Sequence, residues 1–290
     1  MSTITSTATK HIADQIPQDL SSQGVHNISM GNLEYKNKRP VFESKLEERS
    51  HILKHMACAF RVFGRKGYSE GSAGHISVRD PMDPETFWIN PLGRHFSLMR
   101  VSDLVHIDGK GNILPDGNQA VINRAGFKIH SHLHRARPDV NAACHAHSVH
   151  GKAWSSFGRE VEMLNQDACT FYKKHTVYEN FGGVVLEDEE GERLAKTLRD
   201  NKAIILQNHG ILTVGETIDE AAYLFTLLER TCEVQLQVEM ASKAGLEKKV
   251  IGDEEANFTY FNTSDPETLY TEFQPEYDLE KELTNGAFEK

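Results

Sequence analysis

This 290-residue chain carries 15 histidines. Two of them, His145 and His147, stand one residue apart at the end of a short apolar run that begins at Val140. In an extended chain, residues i and i+2 project to the same side. Two neutral imidazoles leaving a strand end together suit a single divalent ion, which each binds at about 2.0–2.1 Å. His209 follows a second apolar run, Ala203-Ile204-Ile205-Leu206, within Gln207-Asn208-His209-Gly210. If the two runs are strands ending at one sheet edge, the three imidazoles converge. The same residues also suit hydrogen-bonded core or surface histidines, and an H-x-H pair alone does not decide between the two.

The elements that would carry these histidines are legible in the apolar spacing. Ile52, Leu53, Met56, Ala57, Phe60 and Phe63 recur with Leu46 at helical intervals from Lys45, and Gly64 and Gly67 mark the end. His75–Arg79 alternates as a strand does, and Thr86–Ile89 is aromatic and β-branched. Asn90-Pro91-Leu92-Gly93 is a turn. Asp108-Gly109 predicts a hairpin between Leu104–Ile107 and Gly111–Leu114. Helices are predicted from Asn123 to Arg135, from Gly151 to Phe157, from Glu189 to Asp200 and from Ile218 to Ala244. Asp219 and Glu220 favour the start of the last one. Strands are predicted at Val140–His145, Val184–Leu186, Ala203–Leu206 and Ile211–Val214.

Residues 1–43 are polar and aperiodic, and read as a flexible extension. One folded domain spans 44–244. The acidic, aromatic-punctuated tail 245–290 is expected to pack on or near the site. No apolar run reaches the ~20 residues needed to span a bilayer. The first residues lack the apolar core of a secretory signal and carry a faint transit-peptide composition without its arginines. The net charge of -10 disfavours a phosphate backbone as partner. Cys58, Cys144, Cys169 and Cys232 form no C-x-x-C pair and read as small buried hydrophobes of a reducing compartment. A cytoplasmic location is the expectation, with neither membrane nor nucleic acid as partner.

Four stretches in order carry a specific resemblance. They are Gly71-Ser72-Ala73-Gly74-His75-Ile76-Ser77-Val78-Arg79, Asn90-Pro91-Leu92-Gly93, Arg137-Pro138-Asp139-Val140-Asn141-Ala142-Ala143-Cys144-His145-Ala146-His147-Ser148, and Lys202-Ala203-Ile204-Ile205-Leu206-Gln207-Asn208-His209-Gly210. Over roughly residues 45–243 the chain resembles the class II aldolase/adducin family. The resemblance implies an α/β fold, a three-layer α/β/α sandwich around a central, mostly antiparallel sheet. It implies a divalent metal on His145, His147 and His209, zinc in the first place, with iron(II) or manganese(II) as alternatives. It also implies a small-molecule substrate and a homotetramer with sites between subunits.

The chain departs from the family's sugar-phosphate aldolases at one place. Their Ser-Ser-Glu at a helix start binds phosphate and supplies the acid/base carboxylate. Counting back from Arg137-Pro138-Asp139, the matching positions are Arg124, Ala125 and Gly126. Three readings follow: a lyase acting on an unphosphorylated carbonyl or keto acid by C–C cleavage or enolisation, a non-haem iron oxygenase, and a non-catalytic assembly module like the adducin head. Retention of all three histidines disfavours the last. Arg124 is then a candidate carboxylate clamp or a solvated helix-start arginine. Asn90, Gly93 and Asn208 are candidate substrate contacts. His75, where the family usually has Asn, is a candidate catalytic residue or a loop cap. Asp167 and Tyr172 are candidates for an acid/base group reaching a neighbouring subunit, or a cap and a packing residue. His130 and His134, one helical turn apart, are candidate ligands or satisfied core histidines, and His150 is a candidate supporting residue. Any of Tyr260, Tyr270 and Tyr277 could close the site.

Overall fold

The computed structural model describes residues 29–30, 35–179, 181–183 and 188–290. Seven strands form one sheet in the order β3-β2-β1-β4-β7-β6-β5. They are β1 (His75–Arg79), β2 (Thr86–Ile89), β3 (Val105–Asp108), β4 (Ala142–Ala146), β5 (His175–Tyr178), β6 (Ala203–Leu206) and β7 (Gly210–Gly215). Neighbours are antiparallel except β5 and β6. The central strands read as unbroken buried runs because helices cover both faces. Side-chain alternation then divides each strand between two cores. Cys144, Ile205 and Ile211 face one core, and Ala143, Ile204 and Leu212 the other.

The first core is closed by α1 (Lys45–Arg65) and α5 (Ile218–Lys243). Phe60, Phe63 and Phe225 are fully buried there, and each contributes about 1.5–3 kcal/mol. Ser44 caps α1 by accepting from the Glu47 amide, and Thr217 caps α5 by accepting from the Glu220 amide. The second core is closed by α2 (Arg124–Ala136) and α4 (Asp188–Leu198), through Ile129 and Leu133 against Leu194 and Leu198. The short α3 (Val149–Ser155) follows β4.

Several expectations need correction. The second arm of the hairpin after β3 is reduced to a bridge between Ile107 and Ile113, because Asp108 turns inward to accept the amides of Lys110 and Asn112. Leu46 is 64% exposed despite its helical spacing, since it sits in the first turn of α1, beyond the core. Gly64 lies inside α1 against the backbone of Ser97, so the helix ends later, before Gly67. The strand expected at Val184–Leu186 lies outside the described residues.

The tail forms two helices, α6 (Asp253–Thr263) and α7 (Pro266–Thr284), and α7 packs on α1 and α5 with Phe273 fully buried. Within one chain Tyr270 lies away from the three histidines. It lines a cleft with Arg39, His51 and Asn141, at the end of β1 and β4 opposite His75 and His145. Tyr277 stacks on His55 of α1 with ring centroids 4.1 Å apart. The part of the N-terminal extension that is described is tied to this end: the Arg39 amide donates to Glu267 at 2.8 Å.

Candidate metal centre

His145 is the fourth residue of β4, paired across β1 with His75 and across β7 with Leu212. His147 leaves the same strand end two residues later. His209 sits in the tight turn from β6 to β7, where Leu206 pairs with Gly210. Asn208 takes the left-handed conformation in that turn, with φ 58°, which asparagine tolerates better than most residues. Because β4 and β7 are neighbours, the β6–β7 turn lies beside the end of β4. The three rings meet there, with centroids 4.8–5.2 Å apart.

Three observations fit this cluster to a divalent ion. Each residue offers one nitrogen, and these lie within 4.8 Å of one another. The Nε2 atoms of His147 and His209 are 3.0 Å apart, close to the roughly 3.0–3.4 Å separating two nitrogens bonded to one ion at ~2.1 Å. His145 Nδ1 donates to the Ile211 carbonyl at 2.9 Å, which leaves the lone pair on Nε2. That Nε2 is buried and has no hydrogen-bond partner among the described residues. A buried polar atom left so costs about 1–3 kcal/mol, and a metal would satisfy it.

Electrostatics favour neutral ligands. Burial first, and then the imidazoles of His209, His75 and His147, hold His145 well below the ordinary histidine pKa. Burial and His147 hold His209 down to about 4. Burial lowers His147 as well, against the opposing pull of the Glu70 carboxylate. Glu70 is itself paired with Lys152 of α3.

Gly126, in the first turn of α2, faces this site through His75. A Cβ at position 126 would lie 2.6 Å from His75 Cδ2 and 3.1 Å from its Nε2. The imidazole of His75 therefore fills the space that any side chain there would need. The ring is buried, 4.8 Å from that of His145. Gly74 lets the loop before β1 lie against β4: at φ +90° its missing Cβ would be 3.2 Å from the His145 carbonyl oxygen.

Other candidates fall in varied places. Asn90 is buried and donates to the Gly74 carbonyl at 3.4 Å, while its Oδ1 has no partner among the described residues. Gly93 has open space around its Cα, and Arg124 and Asn208 are exposed. Tyr172 is buried in the first core. Asp167 is exposed on a 3-10 turn that packs against α6. Neither His130 nor His134 joins the three-histidine cluster; they bond to His75 and Ser77 instead. Asp116, the nearest carboxylate before Gly126 in the sequence, is bound to His106 at 2.6 Å and Arg49 at 3.0 Å.

Sequence reasoning missed Glu229 of α5. It accepts from the Ser148 hydroxyl, the Gly151 amide at 2.6 Å and the His150 amide at 2.9 Å. It thereby grips the loop that carries His147. Its position, 82 residues beyond His147, gave no signal in the spacing.

The profile of the Class II Aldolase and Adducin N-terminal domain matches residues 54–236. The chain belongs to this family. Family members among curated proteins include Decarboxylase NovR of Streptomyces niveus, 46% identical over 72% of this chain and 78% of that one. The 4-hydroxy-3-prenylphenylpyruvate oxygenase/4-hydroxy-3-prenylbenzoate synthase of Streptomyces roseochromogenus subsp. oscitans is 45% identical, over 73% and 76%. Among solved structures, L-fuculose 1-phosphate aldolase from Glaciozyma antarctica PI12 superposes with a TM-score of 0.79 at 37% identity, over 88% of this chain and 98% of that one. In this class II aldolase-like fold, no helix among the described residues is long and apolar enough to cross a membrane.

Proposed function

We propose that this protein is a divalent-metal-dependent enzyme that works on the carbon next to the carbonyl of a small unphosphorylated 2-keto acid or related carbonyl compound. C–C cleavage, including decarboxylation, and enolisation are the reactions in view. The observation that carries the proposal is the juxtaposition of the three-histidine cluster with His75 over Gly126. The site keeps ligands for an ion but has an imidazole where a carboxylate would stand, and no serine pair at the helix start to bind phosphate. The names of the two Streptomyces relatives, a decarboxylase and a phenylpyruvate-type oxygenase, support an unphosphorylated keto acid.

His145, His147 and His209 would hold the ion, which when bound supplies Lewis-acid polarisation of a carbonyl. His145 is held in the required tautomer by the Ile211 carbonyl. Arg124, exposed at the start of α2, offers a planar fork for a carboxylate. Asn90 and the open turn at Gly93 are candidate contacts for the rest of the substrate, with Asn208 beside the ligand His209. His75 offers Nε2 as the group beside the cluster that can take up or return a proton. Asp167, exposed on its 3-10 turn, is the candidate to act on a neighbouring subunit's site in a tetramer, whereas Tyr172 is buried in its own chain's core.

The test combines metal analysis with a substrate panel. Protein purified without added metal is assayed for zinc, iron and manganese, then tested on keto acids beside ketose 1-phosphates, with oxygen uptake recorded. Turnover of keto acids with zinc or manganese bound is the expected result. Iron with stoichiometric oxygen uptake would move the protein to the oxygenase reading, which three neutral imidazoles also fit. Brisk cleavage of fuculose 1-phosphate, the activity named for the Glaciozyma protein, would overturn the substrate class. Failure to bind any metal would return the chain to a non-catalytic role.

A further inference from the structure

Behind the candidate metal centre, four side chains are joined in one buried hydrogen-bonded row. His75 Nδ1 lies 2.6 Å from His130 Nε2. His130 Nδ1 lies 2.5 Å from the Ser77 hydroxyl. That hydroxyl lies 2.7 Å from His134 Nε2. His134 Nδ1 ends the row on the Val140 carbonyl at 3.2 Å. All four residues are at most 4% exposed. No carboxylate bonds to any of the three imidazoles among the described residues, so burial keeps them neutral.

The carbonyl gives the row a direction. It can only accept, so His134 carries its hydrogen on Nδ1 and a lone pair on Nε2. The Ser77 hydroxyl must then donate to His134 and accept from His130 Nδ1–H. His130 is left with a lone pair on Nε2 and accepts from His75 Nδ1–H. The last lone pair falls on His75 Nε2, the atom 3.1 Å from the Cβ position of Gly126. The opposite direction would put two lone pairs against each other at Val140.

We propose that Ser77, His130 and His134 are positioning residues that lock His75 in the Nδ1–H tautomer, so that its Nε2 meets substrate as an acceptor and never as a donor in the resting protein. The proposal rests on the reading of the neighbouring cluster as the reaction site. It adds that His75 starts by accepting a hydrogen bond from a substrate hydroxyl. The row orients His75; it does not carry protons away. Arg79 donates to the carbonyl oxygens of His134 at 2.6 Å and Val140 at 3.1 Å, and its charge opposes a positive charge arriving at that end.

The experiment is long-range 1H–15N correlation spectroscopy on the full chain labelled with 15N-histidine and stripped of metal. This method separates the two neutral tautomers and needs no turnover. The wild type is expected to show single Nδ1–H tautomers for His75, His130 and His134. Ser77→Ala, which adds no volume, is expected to leave His75 and His130 as tautomer mixtures, and Ser77→Thr to restore one. An Nε2–H or mixed His75 in the wild type overturns the proposal, as does a Ser77→Ala spectrum unchanged at His75. Zinc titration of the same samples reports separately on the three-histidine cluster, so the two readings fail independently.

Discussion

Glu229 on α5 accepts the amide of Gly151 on α3 at 2.6 Å. With the same carboxylate it also holds Ser148 and the His150 amide, so a helix of the first core fixes the loop that presents His147. Supporting partners of metal ligands typically change metal affinity by about 10–100-fold when removed. Glu229 holds the loop rather than a ligand's imidazole, so Glu229→Gln is expected to weaken zinc binding by no more than that factor and to lower stability by about 1–3 kcal/mol, the usual cost of unsettling a buried polar group. Competition with a chelator and urea unfolding measure the two. Unchanged zinc affinity would mean that the loop stands without this grip.

His147→Ala is expected to lose more affinity than the roughly 10–100-fold of a supporting residue, with little change in far-ultraviolet circular dichroism. His147 is half-buried and lies beyond the last residue of β4, so the packed cores do not rest on it. Unfolding of the variant would assign the ion a structural role instead.

Gly126→Ala inverts an ordinary expectation. Alanine in a helix normally gains about 0.8–1.0 kcal/mol over glycine. Here its methyl would meet His75 Cδ2 at 2.6 Å, and such overpacking costs typically about 1–3 kcal/mol. The single variant should be destabilised, and the same change on a His75→Ala background should be neutral or stabilising. Urea unfolding of the four proteins of this cycle gives the coupling directly. Additive effects would show that the two positions do not compete for space.

Asp80 links α1 to the sheet. It pairs with Arg49 at 2.7 Å and accepts from Trp88 at 2.6 Å and the Met82 amide at 2.7 Å. Burial pushes its carboxyl up, but Arg49, Trp88 and Met82 outweigh that and hold it below the ordinary value. A depressed folded pKa stabilises the protein above the unfolded value, about 3.9, and the contribution is lost as pH falls through the folded one. Asp80→Asn is expected to be less stable at pH 7 and to show a shallower loss of stability below about pH 4. A parallel pH profile in chemical denaturation would rule Asp80 out as a source of the acid sensitivity.

Light scattering at micromolar concentration should give a dimer or tetramer. A monomer would leave the exposed Asp167 with no neighbouring site to act on.

The order of residues along the chain settled a good deal. The i, i+2 spacing of His145 and His147 fixed that they leave the end of β4 toward the same side, because side chains of extended backbone alternate whatever surrounds it. The apolar runs at Ala203–Leu206 and Ile211–Val214 announced buried strands, and Asn123 with Arg124 announced the start of α2, because capping and periodicity are local. Gly126 could be read as the loss of a carboxylate from its place before Arg137-Pro138-Asp139. Tertiary structure decided what each of these meets. His75 fills the space above Gly126 only because β1 lies beside β4 and beneath α2. His130 and His134 belong to a row running back from His75 because Ser77, two residues along the same strand β1, stands between them. Glu229 reaches Ser148 from α5, and Asp116 is spent on His106 and Arg49. Such contacts join residues tens of positions apart, and hydrogen-bond direction and available volume at each junction have no counterpart in spacing along the chain.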